Sequence, residues 1–390
     1  MTQDEKRAGV SLAAIFGLRM LGLFLILPVF AVFARTLPGG ADPALMGLAL
    51  GAYGATQALF QIPYGLASDR IGRKPVIIGG LLIFAAGSFL AAAAPDIWWM
   101  IAGRVIQGAG AISAAVTALA ADLTREQHRT KVMAMIGSTI GLMFAVSLVV
   151  APPLYAWIGM EGIFILTGSL ALGAIVLLAT AVPTPPAPAE AAPLPLSAVL
   201  RHGQLVRLNF GVLALHLMQT SLWVVVPPIL VASGLPLGEH WKIYLPAVLA
   251  SFAVMIPAII AAEKHGHMKQ VFVAAIILLI LVQGGLVVAT GKYQIGILLM
   301  LFFVGFNIME AMQPSLISRV APPSAKGAAM GVYNTTQSIG LALGGAFGGW
   351  LLKHVGAGAV HAFCAALGTA WLAVAATMAP PRRAAAASPT

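Results

Sequence analysis

Four ionisable side chains stand in stretches otherwise too apolar to hold them. Of the twelve acids in the 390-residue chain, Glu310 alone falls well inside an apolar run, LFFVGFNIMEAMQPSLISRV (301–320). Arg19 and Arg104 are the bases so placed, and His216 is embedded in GVLALHLMQTSLW. A charge at the bilayer centre costs a few kcal/mol on insertion scales, so such groups face a protein interior or a wet cavity. A carboxyl and an imidazole in that setting can each take up and release a proton, which is coupling chemistry rather than bond-making. Glu310 is read as the proton-coupling group and His216 as a relay or second titrating group. The competing readings are a fixed internal ion pair or hydrogen bond for Glu310 and a hydrogen-bonded structural histidine for His216. Arg19 and Arg104 would hold anionic intermediates or orient helices; for Arg104, hydrogen bonds to helix carbonyls are the simpler role.

The elements that position these residues must be membrane helices. The chain is 60% hydrophobic and 9% charged, with mean hydropathy +0.95, whereas a soluble domain carries roughly 25% charged residues. A hydrocarbon core of about 30 Å takes roughly 20 apolar residues per helix. The apolar runs are continuous rather than alternating, which predicts helices and not a barrel. Twelve spans are expected, at 11–34, 44–67, 75–94, 98–121, 130–155, 161–182, 205–232, 241–262, 270–290, 294–317, 327–352 and 357–379. The first is read as a retained span, because its apolar region is too long for a cleaved signal. The embedded charges fall on the first, fourth, seventh and tenth. At about 1.5 Å per residue, Arg19, His216 and Glu310 lie at similar depth, roughly 12 Å from the inner end, with Arg104 nearer the outside.

Between the sixth and seventh spans, proline and alanine dominate VPTPPAPAEAAPLPLSAVLRHGQ (182–204). Proline blocks helix continuation, so residues 183–204 are expected to be a linker. It separates an N-terminal bundle (1–182) from a C-terminal bundle (205–379), with a disordered tail at 380–390. Sixteen lysines and arginines fall on one side of the predicted membrane and four on the other, which places both termini in the cytoplasm. The net charge of +10 is spread over these short loops, so no nucleic-acid partner is implied. The single cysteine, Cys364, permits no internal disulfide. An internal echo supports two related halves: Lys131, Ala134 and Met135 repeat as Lys326, Ala329 and Met330 at an offset of 195. Paired halves around a central site are a transporter plan.

The loop GLASDRIGRKP (65–75) supplies Gly65, Asp69, Arg70, Gly72, Arg73 and Lys74 in order, and RVIQGAG (104–110) follows in the fourth span. These strings resemble the G-x-x-x-D-R-x-G-R-K and R-x-x-Q-G-x-G signatures of the major facilitator superfamily. The phrases LRMLG, FQIPYGLASDRIGRKP, DLTREQHRTK and MGVYNTTQSIG are similar to its YajR-type branch of proton-linked drug transporters. Some members of that branch carry a soluble C-terminal domain, which this sequence, ending PPRRAAAASPT, is expected to lack. One stretch departs: APPLYAWIG keeps Pro152 but not the glycine pair of the antiporter element G-P-x-x-G-G.

The resemblance implies an all-α membrane protein of twelve helices in two pseudo-symmetric six-helix bundles. It implies that the first, fourth, seventh and tenth helices line a central cavity. It also implies that Asp69 contacts the opposite half near the eleventh span, as a conformational latch. Arg73 is expected to pair with Asp122 in AADLTREQ. Gln57, Gln61, Asn209, Asn307 and Gln337 supply hydrogen bonds without fixed charge, and Phe60 and Trp223 supply apolar surface. Together they form the candidate substrate cavity, suited to bulky amphipathic compounds.

Other chemistries leave no trace. EKHGHMK (263–269) has two histidines in a basic loop, without metal-ligand spacing. No Walker sequence and no nucleophile in a catalytic setting are found. The expectation is a non-enzymatic secondary active transporter in the cytoplasmic membrane, needing no cofactor beyond the proton gradient. Its partners would be protons, a small molecule and the bilayer. Proton-coupled export is the primary reading. A proton-coupled importer or uniporter is the alternative, and a non-transporting membrane sensor is the alternative of another class.

Overall fold

The computed structural model describes residues 1–183, 196–322 and 325–378. Most of the expected linker (184–195) and the expected tail lie outside the described residues. Among those described, the chain is helical throughout, without a strand: α1 (Gln3–Ala34), α2 (Pro43–Ile71), α3 (Arg73–Ala92), α4 (Ile97–Ala109), α5 (Ser113–Asp122), α6 (Glu126–Ala181), α7 (Leu196–Arg201), α8 (Gly203–Ala232), α9 (Trp241–His265), α10 (Met268–Val288), α11 (Lys292–Val320), α12 (Lys326–His354) and α13 (Ala357–Ala376). Nine stretches among the described residues are long and apolar enough to cross a membrane.

Three of the expected spans have a more particular form. The fourth is broken into α4 and α5 around Gly110, where RVIQGAG ends. The fifth and sixth run together as α6, bent where Gly159 takes φ 66, a left-handed conformation open to glycine without strain. The expected second and eleventh spans correspond to α2 and α12, which are not among the nine apolar stretches. Their glycines and polar residues serve a protein contact instead.

That contact is close. A Cβ added to Gly47 would lie 2.7 Å from the Gly349 Cα, and one on Gly54 would lie 2.7 Å from the Ser338 carbonyl oxygen. Small residues allow membrane helices to approach backbone to backbone. The zipper does not run the full length. At the other end of α2, a Cβ on Gly65 would meet only Ala114, at 3.5 Å, and Gly327 and Gly331 of α12 have nothing within 4 Å. α2 and α12 are thus shut together at the Asp42 end and make no such close approach at the Asp69 end.

Two lysines, at the starts of α3 and α10, finish other helices. Lys74 Nζ donates to the Val182 carbonyl at 2.6 Å, just past α6. Lys269 Nζ donates to the carbonyls of Ala376 at 2.9 Å and Met378 at 2.8 Å, at the end of α13. The two lysines are 195 positions apart, the offset of the sequence echo. A cation on the last carbonyls of a helix contributes about 0.3–1 kcal/mol. Lys269→Met is therefore expected to lower stability by about 1 kcal/mol, with Lys269→Arg retaining it. Thermal unfolding in detergent measures the difference.

Candidate proton-coupling site

Three helices bring the site together. Glu310 comes from α11, His216 from α8 and Gln337 from α12. Gly340, one turn on from Gln337, is what allows α12 to approach, since a Cβ there would sit 3.2 Å from the His216 Cβ. His216 Nε2 lies 3.4 Å from Glu310 Oε2 and 2.6 Å from Gln337 Nε2. Gln337 Nε2 also reaches Glu310 Oε1 at 3.5 Å.

Hydrogen-bond arithmetic assigns the protons. His216 Nδ1 lies 3.0 Å from the Val212 carbonyl oxygen, which can only accept, so Nδ1 carries the hydrogen. Nε2 then holds the lone pair in the neutral ring and accepts from the Gln337 amide. Glu310 Oε2, buried at the atom level, has no hydrogen-bond donor among the described residues. A proton arriving on Oε2 would supply the missing hydrogen of the acid, whereas one arriving on Nε2 would first require the Gln337 amide to release that nitrogen. The side chain of Glu310 is 34% exposed and that of His216 only 4%, so the acid faces accessible space and the imidazole stands behind it.

A further group was hidden in MGVYNTTQSIG. Tyr333 is 2% exposed, and its hydroxyl has no partner among the described residues. It lies one helical turn before Gln337 on α12. The i, i+4 spacing of Tyr333 and Gln337 is the sequence signal that would have found it.

The two arginines occupy a separate network. Arg19 is wholly buried and donates to Tyr53 Oη at 2.9 Å, Ser113 Oγ at 3.3 Å and the Gly110 carbonyl at 3.2 Å. That last carbonyl, at the break between α4 and α5, also accepts from the Ile112 N–H at 2.9 Å. Arg104 donates to the Gln107 side chain and to the Ala49 carbonyl at 3.4 Å, with its guanidinium 4.9 Å from the Tyr53 ring centre. Gln107 continues to Ser88 Oγ at 2.8 Å. Tyr53 therefore sits between the arginines, and neither of them touches Glu310 or His216 in this conformation.

The remaining candidates divide by burial. Phe60 is 36% exposed, whereas Trp223 and Gln61 are buried, and Asn209 nearly so. Gln57 and Gln337 are half-buried. Asn307 donates to Ser251 Oγ at 2.9 Å, while both amide atoms of Gln61 and Trp223 Nε1 have no partner among the described residues. Phe24 of α1 and Phe144 of α6 meet edge to face at 5.2 Å. Phe144 in turn lies 6.0 Å from Phe303 and 5.8 Å from Phe306 of α11. Phe306 reaches the His216 ring at 5.9 Å.

Charges mark both ends of the α2–α12 contact. At the open end the chain turns at Gly72 (φ 99) between α2 and α3, and Arg73 pairs with Asp69. Arg73 Nε also meets Asp122 Oδ2 at 2.8 Å, and its Nη1 donates to Ser68 Oγ at 2.7 Å. Arg70 is exposed. The contact between Asp69 and the eleventh span, implied by the resemblance, is not made in this conformation.

At the shut end, Lys353 of α12 meets Asp42, the N-cap of α2, at 2.6 Å. The hydrogen bond from Lys353 holds the Asp42 carboxyl below the usual carboxylate range. A carboxyl lowered in this way contributes fully above its ordinary titration range and loses its contribution as pH falls through the lowered value. The pair is part-exposed, so it is worth about 0.2–1 kcal/mol. Asp42→Asn is expected to reduce the population closed at this end by up to about fivefold. The intact pair should hold that population constant down to about pH 5. Spin-label distances across the shut end measure both.

The Major Facilitator Superfamily profile matches residues 12–344 and 208–390. Inner membrane transport protein YajR of Escherichia coli (strain K12) is 46% identical over 387 residues, covering 98% of this chain and 85% of that protein. Multidrug resistance protein MdtH of Aeromonas salmonicida (strain A449) is 29% identical over 388 residues, covering 95% of this chain and 92% of that one. Among solved structures, a bacterial homologue of the human lysosomal transporter Spinster, in an inward-facing and occupied conformation, superposes with TM-score 0.75 at 13% identity. That match covers 96% of this chain and 95% of the other.

Proposed function

From the premise that the chain belongs to the Major Facilitator Superfamily, we propose that it exports small amphipathic, drug-like compounds in exchange for protons, by alternating access. The observation that carries this reading is Glu310 Oε2, which has no donor among the described residues and lies 3.4 Å from His216 Nε2. A proton held between them takes the place of the Gln337 amide at Nε2, and removing it leaves an anion beside a neutral ring. The likeness to a multidrug resistance protein supports the substrate class.

In this reading residues 1–182 and 205–379 are the moving bodies, and the Pro/Ala-rich linker at 183–204 lets them rock. Glu310 takes its proton when the cavity opens outward and gives it up when the cavity opens toward the termini, which we place in the cytoplasm. Asp69 is the latch that reaches the second half near the eleventh span when the open end shuts, and the Arg73–Asp122 pair beside it holds the loop. Arg19 and Arg104 hold the first half rigid around Tyr53. A unit charge crossing 100 mV gains about 2.3 kcal/mol, enough to sustain roughly a fifty-fold gradient of a neutral substrate.

The test is flux in proteoliposomes under an imposed proton gradient. Substrate moving against the proton flow supports exchange. Movement with the protons would make the protein an importer, movement indifferent to them a uniporter, and binding without flux a sensor.

A further inference from the structure

On the flank of the second half, α8 and α13 leave a cleft of 510 Å³ lined by Val206, Arg207, Phe210, Ala373, Val374 and Thr377. Four of the six lining residues are apolar, as expected of a surface that meets hydrocarbon. Arg207 is half-buried and makes no ion pair among the described residues. A second cation is held at the same end of α13. Lys269 Nζ binds the carbonyls of Ala376 and Met378, which flank Thr377 on either side. An uncompensated guanidinium at the edge of an apolar cleft within a bilayer is costly unless an anion meets it.

We propose that this cleft binds an anionic phospholipid. An acyl chain lies against Val206, Phe210, Ala373 and Val374, and the phosphate receives paired hydrogen bonds from Arg207. Guanidinium and phosphate match as planar fork and oxyanion, and Lys269 adds a second positive charge at the headgroup. The chain's own tail is a poor occupant, because residues 379–390 carry Arg382 and Arg383 and no acidic side chain, which would set like charge against like.

The experiment uses the full-length protein in a neutral detergent, with lipid binding followed by native mass spectrometry and thermal shift. The probes are phosphatidylglycerol, phosphatidylcholine with the same acyl chains, and inorganic phosphate. Phosphatidylglycerol is expected to bind at least tenfold more tightly than phosphatidylcholine, and phosphate alone to give no stabilisation. Arg207→Gln should erase the tenfold preference. Val374→Trp, which fills the cleft and leaves the charges in place, should weaken both lipids. Arg201→Gln, at an exposed residue outside the cleft, should leave both unchanged. A preference that survives Arg207→Gln, a Val374→Trp protein that binds like the wild type, or phosphate reproducing the full effect would each overturn the assignment.

Discussion

Replacing Glu310 by Gln is expected to leave the protein folded and abundant while removing all response of transport to an imposed proton gradient. The amide has the size of the acid and can keep the contact with Gln337. It cannot exchange a proton, so nothing passes between positions 310 and 216 when the cavity changes sides. Accumulation of about fifty-fold at 100 mV in the native protein should fall to none. Downhill exchange of substrate, which needs only rocking, should persist. His216→Gln makes the contrast: a relay lost slows turnover by roughly a hundredfold, the low end of the range for assisted proton transfer, yet leaves the gradient response in place. Proteoliposomes preloaded with substrate measure both variants, and a Glu310→Gln protein that still accumulates substrate would remove the coupling role.

Gly51→Val should stop the cycle for a different reason. A Cβ at Gly51 would press into the Ala342 carbonyl oxygen and lie 3.1 Å from the Ala346 nitrogen. Both are backbone atoms of α12, and neither can swing aside. Overpacking costs about 1–3 kcal/mol or more, which shifts the population shut at the Asp42 end by roughly five- to a hundredfold. The variant still folds, because α2 and α12 can remain apart, but it dwells in the conformer opened at that end. Labels at Thr36 and Val355, both exposed and flanking the shut end, should report a longer distance. Gly173→Ala, where nothing lies within 4 Å, should behave as the native chain. An unchanged distance and turnover in Gly51→Val would remove the glycine zipper from the mechanism.

The site was legible from the sequence to the extent that it depends on cost. Glu310 and His216 stand out because hydrocarbon tolerates so few charges, and the structure sets them 3.4 Å apart. Depth arithmetic placed Arg19 in the same layer, yet it hydrogen-bonds to Tyr53, Ser113 and Gly110 instead. Counting residues along a helix gives height but not rotation about the axis, and rotation decides which neighbour a side chain meets. Side-chain type is equally blind to rotation, and Trp223 and Gln61, candidates on that ground, are buried.

The zipper left a signal in the sequence. Gly47, Gly51 and Gly54 recur at helical spacing opposite Ser338, Ala342, Gly345 and Gly349, the pattern of small residues that lets backbones meet. What the sequence could not supply was pairing across distance. Asp42 and Lys353 are 311 positions apart, and nothing in either segment names the other. The duplicated lysines were half visible, since the repeat offset locates Lys269 from Lys74 but not the carbonyls each one holds.

A machine driven by an ion gradient runs down if ions slip through between turnovers. Phe24 of α1, Phe144 of α6 and Phe303 and Phe306 of α11 close ring against ring, on the shut side of His216. Four phenyl groups offer water no hydroxyl, amide or carboxylate along which to string a wire. The insulation is therefore made of dispersion and shape, indifferent to salt and acidity, and a single polar replacement there would short the circuit.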